Sequence, residues 1–207
     1  MILSRVKIDP NSKNGRNLLS GISEDGKVHG CVESCFSGER RRRLWRIDKV
    51  GNGYYLMLLS EDMPDLSPLE TQYGFKGKKG ESIDYDKLLN RVENGTTWNF
   101  RIVANPSKRE SGGGKIRAHV SPNYAEKWFL KKAEENGFDV KDLFVGEPDG
   151  HYFKKRDGNS VHIVKTVFTG TLTVTDSEKI RNALINGIGR GKAYGAGMLT
   201  LVGGRKA

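Results

Sequence analysis

Cysteine is nearly absent: Cys31 and Cys35 are the only two in 207 residues. Two cannot build a disulfide framework, so the chain reads as a reduced, cytoplasmic protein. Long apolar runs are missing as well. The longest extends only from Tyr54 to Leu59, against about 20 residues for a membrane-spanning helix. The opening Met1 to Pro10 carries Arg5 and Lys7, with neither the apolar core nor the small-residue cleavage site of a signal peptide. Acid is scarce relative to base, 25 Asp and Glu against 35 Lys and Arg, a net charge of +10. The apolar content of 36%, with 26 glycines beside it, is that of a globular chain. Disorder, collagen and coiled coil are thereby excluded. The length suits one large domain or two small ones.

What is present is a strongly segregated positive charge. Windows 37–46, 74–80, 105–117, 151–158, 187–193 and 203–207 hold 19 of the 35 basic residues. Only Glu39, Glu110 and Asp157 among the acids fall inside them. Segregation of this kind builds a basic face and favours a nucleic-acid partner. Anionic lipid is disfavoured, since no long basic amphipathic helix is present. A DNA-binding regulator is disfavoured by the lack of a helix-turn-helix pattern.

Periodicity predicts the elements. Residues 2–9 alternate as a strand, followed by a polar connection from Pro10 to Gly21. Val28, Cys31, Val32, Cys35 and Phe36 mark one face of a helix over 24–36, with Ser23 as N-cap and Gly38 as stop. Arg42–Ile47 and Tyr54–Ser60 read as a hairpin. A short helix is expected within Met63–Leu69 and a Gly/Lys loop over 74–84. Thr96–Ala104 opens a second unit, and Ile116–Val120 is a short strand. The clearest helix is Ser121–Asn136, with Ser121 as cap, Pro122 at the first position and Gly137 as stop. A hairpin pairs His151–Lys155 with Val161–Thr175. Asp176 caps a helix to Asn186, and Gly197–Val202 closes the chain. Each half approximates βαββαβ. The expected fold is therefore α+β, two tandem ferredoxin-like (RRM-like) domains, 1–92 and 93–207.

The sharpest local feature runs from Gly187 to Gly197, GIGRGKAYGAG. It is not a phosphate-binding P-loop. The spacing is one residue short, Ala193 stands where Ser or Thr would bind Mg²⁺, and the loop leads from helix to strand rather than the reverse. A dinucleotide fingerprint fails for the same topological reason. A glycine-rich turn with free N–H groups and two cations can approach a phosphate backbone or pack closely on a neighbouring domain. The arrangement of Gly187, Gly189, Gly195 and Gly197 resembles the glycine loop of the CRISPR repeat-RNA processing endoribonucleases, type I-E Cascade branch. MILSRVKID, RRRLWRI, RIVANPSKR at 101–109, the 122–132 helix and FTGTLTV at 168–174 agree in order. The resemblance implies the tandem ferredoxin-like fold and cleavage of repeat RNA beside its stem-loop without a metal or other cofactor. It also implies retention of the product with the other Cascade subunits.

Such cleavage needs the 2′-OH deprotonated and the leaving 5′-oxygen protonated, and imidazole suits either task near neutral pH. Of His29, His119, His151 and His162, the resemblance points to His29, on the helix after the first strand. That residue lies about 100° around the helix from Val28, at the edge of the apolar face. Related enzymes carry Tyr one turn earlier and Lys or His five residues later; here these positions are Gly26 and Ser34. Lys27, Ser34 and Arg40, Arg41, Arg42 and Arg43 are the nearby candidates to orient or stabilise the transition state. His29, Cys31 and Cys35 make a poor metal site, because the cysteines face one way and no fourth ligand is in reach.

The stem would be gripped by shape and phosphate. Beside the Arg40–Arg43 run, the candidates are Lys108, Arg109, Lys115 and Arg117 around a flexible Ser111–Gly114 loop. Lys154, Lys155 and Arg156 stand at a hairpin tip, and Arg190 and Lys192 in the glycine loop. The alternative to an endoribonuclease is a non-catalytic RNA-binding scaffold of the same fold.

Overall fold

The computed structural model describes residues 1–20, 25–109, 116–118, 121–154 and 158–206, without the side chains of 108, 109, 116–118, 154, 205 and 206. These residues form two compact units. The first comprises Met1–Asp86, Tyr152–Val161 and Ala193–Gly195, and the second Lys87–His151, His162–Lys192 and Ala196–Ala207.

In the first unit the elements are β1 (Ile2–Ile8), α1 (Lys13–Leu19), α2 (Asp25–Glu33), β2 (Leu44–Val50), β3 (Gly53–Ser60), α3 (Ser67–Tyr73) and β4 (Glu81–Asp84), with α4 (Asp86–Leu89) after them. The sheet order is β2-β3-β1-β4. β1 runs antiparallel to both β3 and β4, with Val6 opposite Leu56 and Leu3 opposite Ile83. Alternation drives Val6 and Ile8 inward, where they meet Leu56 and Leu58 of β3, Trp45 of β2, Val28 and Val32 of α2 and Leu69 and Tyr73 of α3. The spacing read as a helix face in the sequence is thus the packed side of α2.

The remaining elements are β5 (Thr96–Ala104), β6 (Ser107–Arg109), β7 (Ile116–Ala118), α5 (Pro122–Glu135), β8 (Phe138–Val145), β9 (Asp149–Lys154), β10 (Ser160–Val174), α6 (Ser177–Asn186) and β11 (Leu199–Lys206), which belong to the second unit except for Tyr152–Lys154 of β9 and Ser160–Val161 of β10. The main path is β11-β5-β10-β8, with β9 also paired to β10. Numbering the four main strands of each unit in chain order gives 4-1-3-2 twice, with a helix after the first strand and after the third. The chain is therefore α+β with two tandem ferredoxin-like folds. The second core is aromatic: Phe129 of α5 stacks on Phe168 at 4.5 Å and on Phe100 at 5.4 Å between ring centroids.

Several expectations change. The polar connection after β1 contains α1, capped by the Ser12 hydroxyl accepting from the Gly15 amide at 3.0 Å. Helix α2 stops at Glu33, before the expected Phe36, and the short helix after β3 lies at Ser67–Tyr73 rather than within 63–69. Residues 81–84 of the expected Gly/Lys loop form an exposed edge strand, made by pairing with β1 rather than by any apolar pattern of their own. The second strand of the second unit is β8, which sequence reading passed over; its pairing with β10 is broken by an irregularity at Thr171/Leu172 that disturbs the alternation. Ser107–Arg109 adds a further strand, β6, paired with β7. Ser121 occupies the N-cap position of α5 but makes no capping bond with its side chain. Asp176 does cap α6, accepting from the amides of Glu178 and Lys179. Ser23 lies outside the described residues. No described helix is long and apolar enough to cross a membrane.

Candidate active site

Helix α2 buries Val28, Cys31 and Val32, which leaves His29 at the margin of the packed face with 21% of its side chain exposed. Its Nδ1 lies 4.0 Å from Glu33 Oε1, one turn on. Its Nε2 accepts from Arg40 Nη2 at 3.0 Å. A guanidinium has only donors, so Nε2 must present its lone pair, and the ring is neutral with its proton on Nδ1, toward Glu33. Burial depresses the His29 pKa below the ordinary 6.5; Glu33 pulls it upward, while the Arg40 and Arg43 charges push it down.

Glu33 is itself held in place. Arg43 Nη1 donates to its Oε2 at 2.6 Å, and Arg40 Nε lies 3.6 Å from the same oxygen. Arg43 is 8% exposed, stacks 4.0 Å above the Phe36 ring and donates to the Glu39 carbonyl. Of the four arginines of the run, Arg43 is thus the one whose guanidinium is enclosed by side chains and bonded to Glu33. Arg40 is 73% exposed in its side chain, Arg41 pairs with Glu61 and Asp62, and Arg42 is exposed.

An aromatic residue stands against the imidazole, with a second behind it. Tyr194 meets His29 edge-on at 5.8 Å and Phe153 edge-on at 4.8 Å. The Phe153 ring lies beside Gly26, where a β-carbon would meet it at an ordinary contact distance of 3.6 Å. Tyr194 is fixed through its neighbours, since Trp45 Nε1 donates to the Ala193 carbonyl at 3.1 Å. A β-carbon at Gly195 would lie 2.7 Å from the Trp45 ring, and φ there is +80°, so both space and backbone demand glycine. Gly187, Gly189 and Gly197 also have positive φ, and Gly197 donates to the Val103 carbonyl within the second unit.

Other candidates are placed as follows. Lys27 is exposed. The Ser34 hydroxyl donates to the Cys31 carbonyl at 2.8 Å, a bond back to its own helix. Cys31 and Cys35 are buried thiols, raised by burial to about 11 and about 12. No group of three or more metal-ligating side chains is gathered among the described residues. His151 lies 3.1 Å from Asp149, and His162 is exposed. In the β6–β7 ribbon, Lys108 is the register partner of Arg117 and Arg109 of Ile116. Arg190 is exposed and bridges Asn105 through the backbone, and Lys192 is half-buried. Lys154 ends β9. Lys115, Lys155, Arg156 and His119 fall outside the described residues. Sequence reading missed Glu33, whose signal was its i+4 spacing from His29. It also missed Tyr194, which only tertiary packing brings to the imidazole, and Phe153, which packs on Tyr194.

A family model described as CRISPR associated protein matches residues 1–202. The chain belongs to this family. A sequence similar to this CRISPR-associated protein is the CRISPR-associated endoribonuclease Cse3 of Thermus thermophilus. The two are 26% identical over 220 residues, covering 97% of this chain and 99% of that one. Among solved structures, CRISPR endoribonuclease Cse3 bound to 19 nt RNA superposes with a TM-score of 0.79 at 24% identity, covering 98% and 100% of the two chains. The CRISPR-associated protein Cas6e from Escherichia coli str. K-12 superposes at 0.65 with 22% identity, covering 97% and 98%. The fold of this CRISPR-associated protein is thus that of Cse3 and Cas6e.

Proposed function

We propose that the protein is an endoribonuclease that cuts CRISPR repeat RNA beside its stem-loop and stays bound to the mature product within a Cascade-type surveillance complex. The two ferredoxin-like domains, 1–92 and 93–207, divide the work. The first carries the catalytic helix, and the second carries the basic β6–β7 ribbon and the glycine loop. The observation that carries the reading is His29: a neutral imidazole at the edge of α2, with an unprotonated Nε2 and a carboxylate behind Nδ1. Its depressed pKa keeps it in the basic form at neutral pH. The relatives add support, since one is named an endoribonuclease and another was solved with RNA.

In this reading the His29 Nε2 takes the proton of the ribose 2′-OH. The freed 2′-oxygen bonds to phosphorus as the bond to the 5′-oxygen breaks, and water protonates the departing oxygen. The products are a 2′,3′-cyclic phosphate and a 5′-hydroxyl, and no divalent ion takes part. Lys27 stands on the exposed side of the same helix, where its charge can face the phosphate. Ser34 is the weaker candidate, because its hydroxyl is already committed to the Cys31 carbonyl. Arg40, Arg41, Arg42, Lys108, Arg109, Lys115, Arg117, Lys154, Lys155, Arg156, Arg190 and Lys192 supply the phosphate grip. Lys108 and Arg117 are register partners in the β6–β7 ribbon, which brings two basic residues to one place in it.

The test is incubation of the protein with end-labelled repeat stem-loop in EDTA. A single cut is expected, abolished when the nucleotide upstream of it is 2′-deoxy. Tight binding without a cut identifies the scaffold reading, which Gly26 and the internally bonded Ser34 favour. Cleavage of the deoxy substrate overturns the 2′-OH mechanism.

A further inference from the structure

The proposed reaction leaves one contact unexplained. The nitrogen that must accept the 2′-OH proton is occupied, because Arg40 Nη2 already donates to His29 Nε2 at 3.0 Å. While that bond stands, the imidazole can neither take a proton nor offer one from that atom. The blocking group is poorly anchored. The Arg40 side chain is 73% exposed, and its other contact, with Glu33, is long at 3.6 Å. It stands in the 36–43 segment, which has no regular secondary structure. Its neighbour Arg43 is the opposite, buried and bonded to the same carboxylate at 2.6 Å. Glu33 therefore keeps a buried cationic partner when Arg40 departs, and the site behind the imidazole need not rearrange.

We propose that Arg40 is a substrate-displaced catalytic residue, which caps His29 Nε2 in the free protein and transfers its guanidinium to the scissile phosphodiester when RNA binds. The inference rests on the reading of His29 as general base. The driving force is chemical preference. A phosphodiester offers anionic oxygens that a planar guanidinium can grip through two parallel charge-assisted bonds, whereas a neutral imidazole offers one lone pair. One movement then does two things. It frees Nε2 for the 2′-OH, and it puts a cation where charge grows on the pentacoordinate phosphorus. It also supplies the cation that Ser34 cannot provide. The charged and titratable groups around the ring are Glu33 on its own helix, Arg40 and Arg43 from the segment after it, and Tyr194 from the glycine loop. Moving Arg40 onto an anion removes one of the two positive charges that disfavour the imidazolium and leaves Glu33 in place, so the base strengthens as substrate arrives.

Two measurements test this on the full chain. In single-turnover cleavage at saturating protein, R40A and R40Q are expected to be slower by about 10²–10³-fold, the usual loss for one transition-state donor, with R40K recovering part of the rate. In ¹⁵N-histidine NMR, free wild type should show His29 with its proton on Nδ1. Addition of a repeat stem-loop carrying the 2′-deoxy block should release Nε2 and raise the His29 pKa. In R40A the pKa should already be raised without RNA, and RNA should move it less. Wild-type cleavage by R40A overturns the proposal, and so does an Nε2 signal that RNA leaves unchanged. These failures are separable from failure of the base assignment, which would appear as normal cleavage by H29A.

Discussion

Helices α2 and α5 hold the same place in two copies of one fold, each following the first strand of its unit. They are built differently. α5 is 14 residues long, begins at Pro122 and buries Ala125, Phe129 and Ala133. Phe129 is wholly enclosed and stacked between the rings of Phe100 and Phe168. α2 is only nine residues long, carries Gly26 and Gly30, and surrounds its edge with ionisable groups: His29, Glu33, Arg40 and Arg43. A ferredoxin-like unit needs a packed stripe on this helix and little else. In α5 the stripe sets Phe129 between two alanines and packs it into an aromatic core. In α2 it is small and aliphatic, Val28, Cys31 and Val32, and the neighbouring positions are free for chemistry.

The comparison breaks most directly at the two residues that stand for these helices. H29A is expected to slow cleavage by about 10²–10⁴-fold, the range for a general base, while repeat-RNA affinity by filter binding stays near wild type. F129A should do the reverse. Emptying that aromatic stack costs about 3–5 kcal/mol, read as a lower denaturation midpoint. H29A should leave that midpoint almost unmoved. An H29A protein as unstable as F129A would mean that α2 is a packing helix too.

A smaller effect should come from G195A. Positive φ and the Trp45 ring both oppose a β-carbon, at a cost of about 1–3 kcal/mol, and Tyr194 is displaced from His29. Thermal denaturation and cleavage should suffer together. The pH profile sharpens the role of α2 further. In the proposed reaction His29 acts as the neutral ring, so cleavage should be full at pH 7 and fall as pH drops through a midpoint below 6.5, the direction in which burial moves it. Glu33 favours the charged ring, so E33Q should carry the falling limb to still lower pH. A midpoint moving upward would contradict the geometry. The least effect is expected from K108A in the β6–β7 ribbon. It should reduce the salt slope of RNA binding by on the order of 0.7–0.9 without touching the rate of the bound complex.

The legible part of the fold was the part written in local pattern. β5 came out with the expected bounds, and the stops and caps around α5 and α6 were marked by Gly137 and Asp176. The elements missed had no such signal. β4 is four exposed residues that become a strand by pairing with β1, and β8 is interrupted by an irregularity. The site was legible to a similar depth. His29 could be placed at the edge of an apolar face by counting, and the glycine loop could be separated from a P-loop by spacing. Tyr194, far along the chain, and the different fates of Arg40 and Arg43 could not be counted.

The sequence by itself determined the α+β class, the segregation of basic residues along the chain and the helix that carries His29, because periodicity, caps and charge are properties of neighbours in the chain. Tertiary structure alone decided which of four consecutive arginines is buried under Glu33, which one rests on the imidazole, and why Gly195 has no side chain. Those outcomes depend on burial and on contacts across large sequence separations, and no local pattern encodes the dielectric around a guanidinium or the position of a tryptophan ring.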